Sequence, residues 1–280
     1  MMEQKQELSL KEKHLASLEL LTEFVEICQK YNLRYDLCGG TLIGAVRHKG
    51  FIPWDDDVDI CMPRPDYETL VKLKLSGQLQ LSEDREFVCS RDNTLARQFG
   101  RYIRKDISYE RNMSENYDSP YFGMDIFIID GVPKSKVLFN IHLFLLQQVR
   151  RFMLTSIQKT GTTRRGRIAG MIKDFYRPFL KAIGPYRLAR CMDRLCRFYQ
   201  FEECEYVGCV SGMYGKREKW LKTEMMPQTT VTFEDREYSS FQNYHIYLSH
   251  LYGEYMQLPP IDKQVPHGAL VFWKNKKIDG

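Results

Sequence analysis

The sequence predicts an α+β fold of α/β-like character: a mixed sheet flanked by helices, with a basic helical segment after it. Three observations predict this. Apolar residues recur at helical spacing over residues 10–30, where Leu15, Leu18, Leu21, Phe24, Val25 and Cys28 would share a face. Short β-like and helical runs then alternate as far as residue 133. Beyond that point, residues 134–200 read as helical and carry a heavy excess of Lys and Arg.

The elements follow in order. Residues 33–38 (LRYDLC) are short and β-like; they end at Gly39-Gly40, and TLIGAVRH then reads as a helix. Asp57–Met62 alternates as a strand should. Pro63-Arg64-Pro65-Asp66 looks like a helix start, and the helix runs to about Leu75. Phe87–Ser90, Gln98–Arg104 and Tyr121–Ile129 are further strands. Residues 201–280 are mixed and rich in Tyr. Without repeats or a low-complexity linker, residues 1–280 read as one unit: a core over 1–133, the basic segment over 134–200, and a C-terminal part over 201–280.

Apolar residues make up 43% of the chain, enough for a sizeable core, and the 28% of charged residues suits a soluble protein. The net charge of +5 conceals a strong asymmetry. Residues 134–190 hold 13 Lys and Arg, among them Arg164, Arg165 and Arg167, against one acid, Asp174. Aromatic residues are interleaved with them, a composition that suits an interfacial helix on an anionic membrane. No nucleic-acid recognition motif accompanies the charge. The polar start, MMEQKQELSLKEK, has no secretory character. The apolar run Val137–Leu146 is far short of the roughly 20 residues a membrane span needs. The expected location is cytoplasmic, peripheral on the inner face of the cell membrane. The eight Cys show no CxxC pair and read as free thiols.

The most informative stretch is Pro53-Trp54-Asp55-Asp56-Asp57-Val58-Asp59-Ile60. On a strand, Asp55, Asp57 and Asp59 would share one face while Val58 and Ile60 turn into a core. Carboxylates gathered in this way repel each other unless a cation joins them, and a hard divalent cation with oxygen ligands is the natural one. An EF-hand is excluded, because its obligatory glycine would fall on Ile60 and its bidentate glutamate on Asp66. A further carboxylate, Asp125, lies inside the apolar run YFGMDIFIID and needs a metal or an Arg as partner. Asp130, beside Gly131 at the end of that run, reads as a turn residue.

Gly39-Gly40-Thr41 joins a strand to a helix, where backbone N–H groups favour anions and glycines admit a phosphate. Arg47, His48 and Lys49 close that helix, either as partners for a phosphate or as ordinary complements to the helix dipole. Glycines, acids and cations together suggest phosphoryl or nucleotidyl chemistry, which relies on positioning and charge neutralisation.

The stretch YDLCGGTLIGAVRHKGFIPWDDDVDICMPRPDY closely resembles the LicD family of phosphotransferases, and YHIYLSHLYGEYMQLPP, followed by His267, is similar to that family's C-terminal signature. The resemblance implies a nucleotidyltransferase-superfamily fold and kinship with fukutin-related proteins. It implies transfer of a phospho-alcohol, typically phosphocholine, from a CDP-linked donor such as CDP-choline. The acceptor would be a sugar hydroxyl on a cell-surface glycan or its lipid-linked oligosaccharide precursor, and CMP would leave. By the same carry-over Gly39 and Gly40 sit under the donor phosphates, Asp57 and Asp59 bind Mg2+ (or Mn2+), and Asp125 matches the third acidic position. Asp55 is a second metal ligand, an acceptor-orienting group or a structural one. The rival functions are transfer of a nucleotidyl group and a non-catalytic, membrane-associated role in glycan assembly. The transferred alcohol, whether choline, ribitol, glycerol or ethanolamine, is not legible in the sequence.

Overall fold

The computed structural model describes residues 6–110, 119–157, 167–266 and 270–273. Arg164, Arg165 and His267 lie outside them, as does the side chain of Arg167. Helix α1 (Leu10–Tyr31) opens on a capping box: Ser9 Oγ accepts from the Glu12 N–H while the Glu12 carboxylate accepts from the Ser9 N–H. Strand β1 (Asp36–Leu37) leads into α2 (Gly39–His48), β2 (Asp59–Pro63) and α3 (Arg64–Leu75). Strands β3 (Arg85–Val88), β4 (Gly100–Glu110) and β5 (Tyr121–Val132) follow. The basic segment supplies α4 (Lys136–Ile157), α5 (Arg167–Ile183) and α6 (Pro185–Cys196). The C-terminal part adds β6 (Tyr206–Gly208), β7 (Trp220–Leu221), α7 (Lys222–Met225), β8 (Gln228–Phe233), β9 (Arg236–Phe241), α8 (Tyr244–Tyr252) and β10 (Leu270–Trp273).

The result is the expected α+β architecture. The main sheet runs β1-β2-β5-β4-β10, with β3 also on β4 and with β6 and β7 extending from β5. Strands β2 and β5 are parallel and their outer neighbours antiparallel, so the sheet is mixed. One face of it buries Ile60, Met62, Ile126 and Ile128 in the main core with Leu20, Leu21 and Phe24 of α1. Alternation then puts Asp59 and Cys61 on the other face, in register with Asp125 and Phe127.

Three expectations need correction. Strand β2 begins at Asp59, not Asp57, because the preceding chain turns: Pro53 has no N–H to give a ladder, and the Asp55 N–H donates to Ile52 O at 2.9 Å. The predicted strand over residues 33–38 shrinks to the two residues of β1. Asp130 is not a turn residue. It lies inside β5, fully buried, and accepts from Arg64 Nε and Nη2 at 2.6 and 3.0 Å. Arg64 also donates to Asp193 of α6 at 2.8 Å, and Asp193 accepts from Arg91 at 2.5 Å. This ion network anchors the helical segment to the sheet, and Phe139, Leu143 and Leu146 pack beside it against Met192 and Cys196. Among the described residues, no helix is long and apolar enough to cross a membrane.

Candidate active site

The acidic cluster forms where β2 and β5 run side by side. Asp59 and Asp125 are direct register partners, so their carboxylates project from one face of adjacent strands about 4.8 Å apart. Asp55 and Asp57 reach the same place from the loop before β2, not from a shared strand face. The electrostatics shows the convergence. Burial pushes the Asp59 carboxyl well above the usual carboxylate range; Asp57, Asp125 and Asp55 push it further, and Arg101 pulls against them. Arg101 stands opposite Asp125 on β4, and its Nε donates to Asp125 Oδ1 at 2.5 Å. Asp56 belongs elsewhere: it is buried and paired with Lys13 at 3.2 Å.

Helix α2 aims its N-terminus at this cluster. Gly39 has a left-handed backbone, φ +56°, and a Cβ there would lie 3.1 Å from Asp59 Oδ2. A Cβ on Gly40 would come within 2.5 Å of Asp55 Oδ2. The glycines therefore admit carboxylates to the positive end of the helix dipole. Thr41 is buried, and its hydroxyl accepts from the Asp59 N–H at 2.8 Å, fixing the start of β2 against α2. Arg47, His48 and Lys49 close the other end of α2, about 12 Å along the axis from Gly40. The structure does not bring them beside the glycines. Arg47 Nη1 donates to the carbonyls of Tyr255 and Gln257, at 2.7 and 3.3 Å, so it ties α2 to the YGEYMQLPP segment. His48 is held below the ordinary histidine range by burial and by Arg47. Lys49 is exposed, and its carbonyl accepts from Glu234 in the β8–β9 turn.

Sequence reasoning did not find the C-terminal contribution to the site. A cavity of about 130 Å³ opens beside Asp59 and Gly39. It is also lined by Tyr214, Glu218, Tyr247 and Tyr252, with Cys209 and Met225. The abundance of Tyr in residues 201–280 and the signature YHIYLSHLYGEYMQLPP, which holds Tyr247 and Tyr252, were the signals that hinted at it.

Among the described residues, no three His, Cys, Asp or Glu side chains stand in a ready-made metal cage. The oxygen donors could still hold a hard divalent cation: Asp59 and Asp125 are register partners on adjacent strands, and Asp55 and Asp59 both stand at the glycine start of α2.

Two comparisons bear on this arrangement. A family profile described as "LicD/FKTN/FKRP, nucleotidyltransferase domain" matches residues 32–126, from the approach to β1 into β5. The lipopolysaccharide cholinephosphotransferase LicD of Haemophilus influenzae is 32% identical over 267 residues, covering 93% of this chain and 96% of its own. The chain belongs to the LicD family. Uncharacterized proteins of Rickettsia prowazekii and Rickettsia typhi are each 48% identical over 48 residues, 17% of this chain. The LicD relationship with the Haemophilus protein extends well past the profile match, so it includes α8 and the walls of the cavity.

Proposed function

We propose that this LicD-family protein transfers phosphocholine from CDP-choline to a sugar hydroxyl of a cell-surface glycan or its lipid-linked precursor, releasing CMP. The observation that carries the reading is the register of Asp59 with Asp125 beside the glycine start of α2, in a chain akin over nearly its whole length to a cholinephosphotransferase. Asp57, Asp59 and Asp125 would hold Mg2+, with Mn2+ as a substitute. That ion, when bound, neutralises the diphosphate and withdraws charge from the phosphorus under attack.

The remaining work falls to the chain's own side chains. Gly39 and Gly40 put no side chain at the α2 N-terminus, where Asp59 and Asp55 already stand, so the donor diphosphate would approach the backbone N–H groups beside those carboxylates. Arg101, seated beside Asp125, presents a guanidinium where negative charge grows on the phosphoryl oxygens. Asp55 orients the acceptor hydroxyl for in-line attack on the β-phosphorus. The O–P bond to the acceptor forms as the bond to CMP breaks, and the hydroxyl proton passes to a carboxylate of the cluster. Arg47 acts indirectly, by fastening α2 to the C-terminal segment that walls the cavity.

The protein works on the cytoplasmic side, against the inner membrane face. Supporting this, Phe144 of α4 and Phe175 and Phe179 of α5 are 59%, 78% and 65% exposed on the segment richest in Lys and Arg.

CDP-choline labelled separately in its two phosphates tests the reaction. The label next to choline should move to the glycan while the other leaves as CMP. Transfer of the label next to cytidine would make the protein a nucleotidyltransferase instead.

A further inference from the structure

The cavity beside Asp59 holds a group that the transfer chemistry does not use. Glu218 is 3% exposed, and its Oε2 has no hydrogen-bond partner among the described residues. Other buried acids have partners: Arg64 and Arg91 match Asp130 and Asp193, Lys13 matches Asp56, and Asp36, which has no cation, accepts from Gln228 and Ser239 through Oδ1. The position of Glu218 is fixed, because β6 crosses so closely that a Cβ on Gly208 would fall 1.6 Å from the Glu218 carbonyl oxygen. Space beside the carboxylate is kept open at Gly212, where a Cβ would come within 2.9 Å of Oε1. Burial pushes the Glu218 carboxyl up to about 8, so it keeps its proton while the cavity is empty, and a cationic ligand would favour the carboxylate.

The rest of the lining narrows the ligand. Tyr214 and Tyr252 meet edge to ring at 5.0 Å and 69°, forming two steep walls. Tyr247 stands beside them, its ring backed by Trp220 and Phe241. Phe127 and Met225 complete the apolar surface. An alcohol with several hydroxyls would leave them unpaired against such walls. A primary ammonium brings N–H donors that need several acceptors. A trimethylammonium has no N–H at all: it asks for one negative charge and a surround of aromatic and apolar groups.

We propose that Glu218, Tyr214, Tyr247 and Tyr252 form a cage for the quaternary ammonium of choline and so set which alcohol is transferred. The proposal rests on the reading of the Asp59 site as the phosphoryl-transfer centre. Asp59 and Gly39 line the same cavity as the cage residues, so a choline phosphate bound there would meet the aspartates with its phosphate and the cage with its ammonium. The cage residues are specificity-determining; the reacting phosphorus lies at the aspartates.

Calorimetric titration of phosphocholine, phosphoethanolamine and glycerol phosphate into the full chain tests the cage without requiring turnover. Phosphocholine should bind about tenfold or more tightly than either of the others, the scale of a desolvated cation–π contact. Glu218→Gln should erase most of that preference. Tyr214 is 37% exposed, so Tyr214→Leu tests the cage with little risk to the fold, and it should weaken phosphocholine selectively. Equal binding of the three compounds, no measurable binding of phosphocholine, or folded variants that keep the wild-type preference would overturn the proposal. CMP release from CDP-choline without any preference among the phospho-alcohols removes the cage and leaves the transferase reading standing. Preference for phosphocholine without CMP release removes the CDP-donor reading and leaves the cage.

Discussion

Strand β5 carries two aspartates that the molecule treats in opposite ways. Asp130 is buried at the end next to the helical segment, where Arg64 holds both of its carboxylate oxygens. Burial still pushes its carboxyl up to about 6, against the pull of Arg64. Burial would raise Asp193 too, yet Arg64 and Arg91 hold that carboxyl below the ordinary range. Asp125 stands five residues earlier on the same strand, in register with Asp59, and there the acids are massed together. Burial and three neighbouring aspartates push Asp59 upward, with Arg101 as the opposing charge. Where Asp130, Asp193 and Asp56 serve structure, the fold supplies their cations. Where it gathers acids that repel one another, a cation from outside fits the site.

Substitutions at the two places should therefore fail in different ways. The largest effect belongs to Asp57→Asn and Asp59→Asn. Each should lower CMP release from CDP-choline by more than ~10²-fold, the scale of losing a main electrostatic contribution to the transition state. Neither should lower the melting temperature, because each removes a repelling charge. Near-normal turnover by a folded variant would contradict the assignment. Arg64→Met comes next, and its effect is on stability. It strands Asp130 and Asp193 without their shared cation, which should cost about 3–5 kcal/mol in denaturant unfolding. Turnover per folded molecule should be unchanged; a variant as stable as the wild type would show that the network contributes nothing. The smallest effect concerns the exposed aromatic face. Each Lys or Arg near an anionic leaflet contributes about 1 kcal/mol. The protein should sediment with anionic vesicles at low salt, less so at high salt, and less again in the double variant Phe175→Ser, Phe179→Ser. A wild-type protein that stays in the supernatant at low salt removes the membrane from the account.

The same contrast explains what could be read from the residues. The α+β class, the helix over 10–30 and the helical character of the basic segment were legible because helical spacing and strand alternation are local signals. Asp59 and Asp125 were legible as charges inside apolar runs. Their pairing was legible only through the family resemblance, because the parallel register of β2 with β5 is a long-range fact. Asp130 was misread for the same reason: beside Gly131 it resembles a turn, and Arg64, which buries it in an ion network, lies 66 residues earlier. Asp55 and Asp57 belong to the cluster, but alternation was the wrong argument for them, since Pro53 starts a turn rather than a strand. Tyr247 and Tyr252 lay inside the signature YHIYLSHLYGEYMQLPP without a place in the site, and Glu218 and Tyr214 escaped notice because single loop residues before β7 have no periodicity to announce them.

The central claim is that the place where Asp59 of β2 meets Asp125 of β5 holds a divalent cation that the transfer requires. Magnesium titration followed by thermal unfolding, in parallel with CMP release, tests it most directly. Magnesium should raise the melting temperature of the wild type in a saturable way and leave Asp59→Asn unmoved, and a chelator should stop CMP release until magnesium is restored. Turnover that persists in excess chelator, with no magnesium-dependent stabilisation of the wild type, would contradict the account.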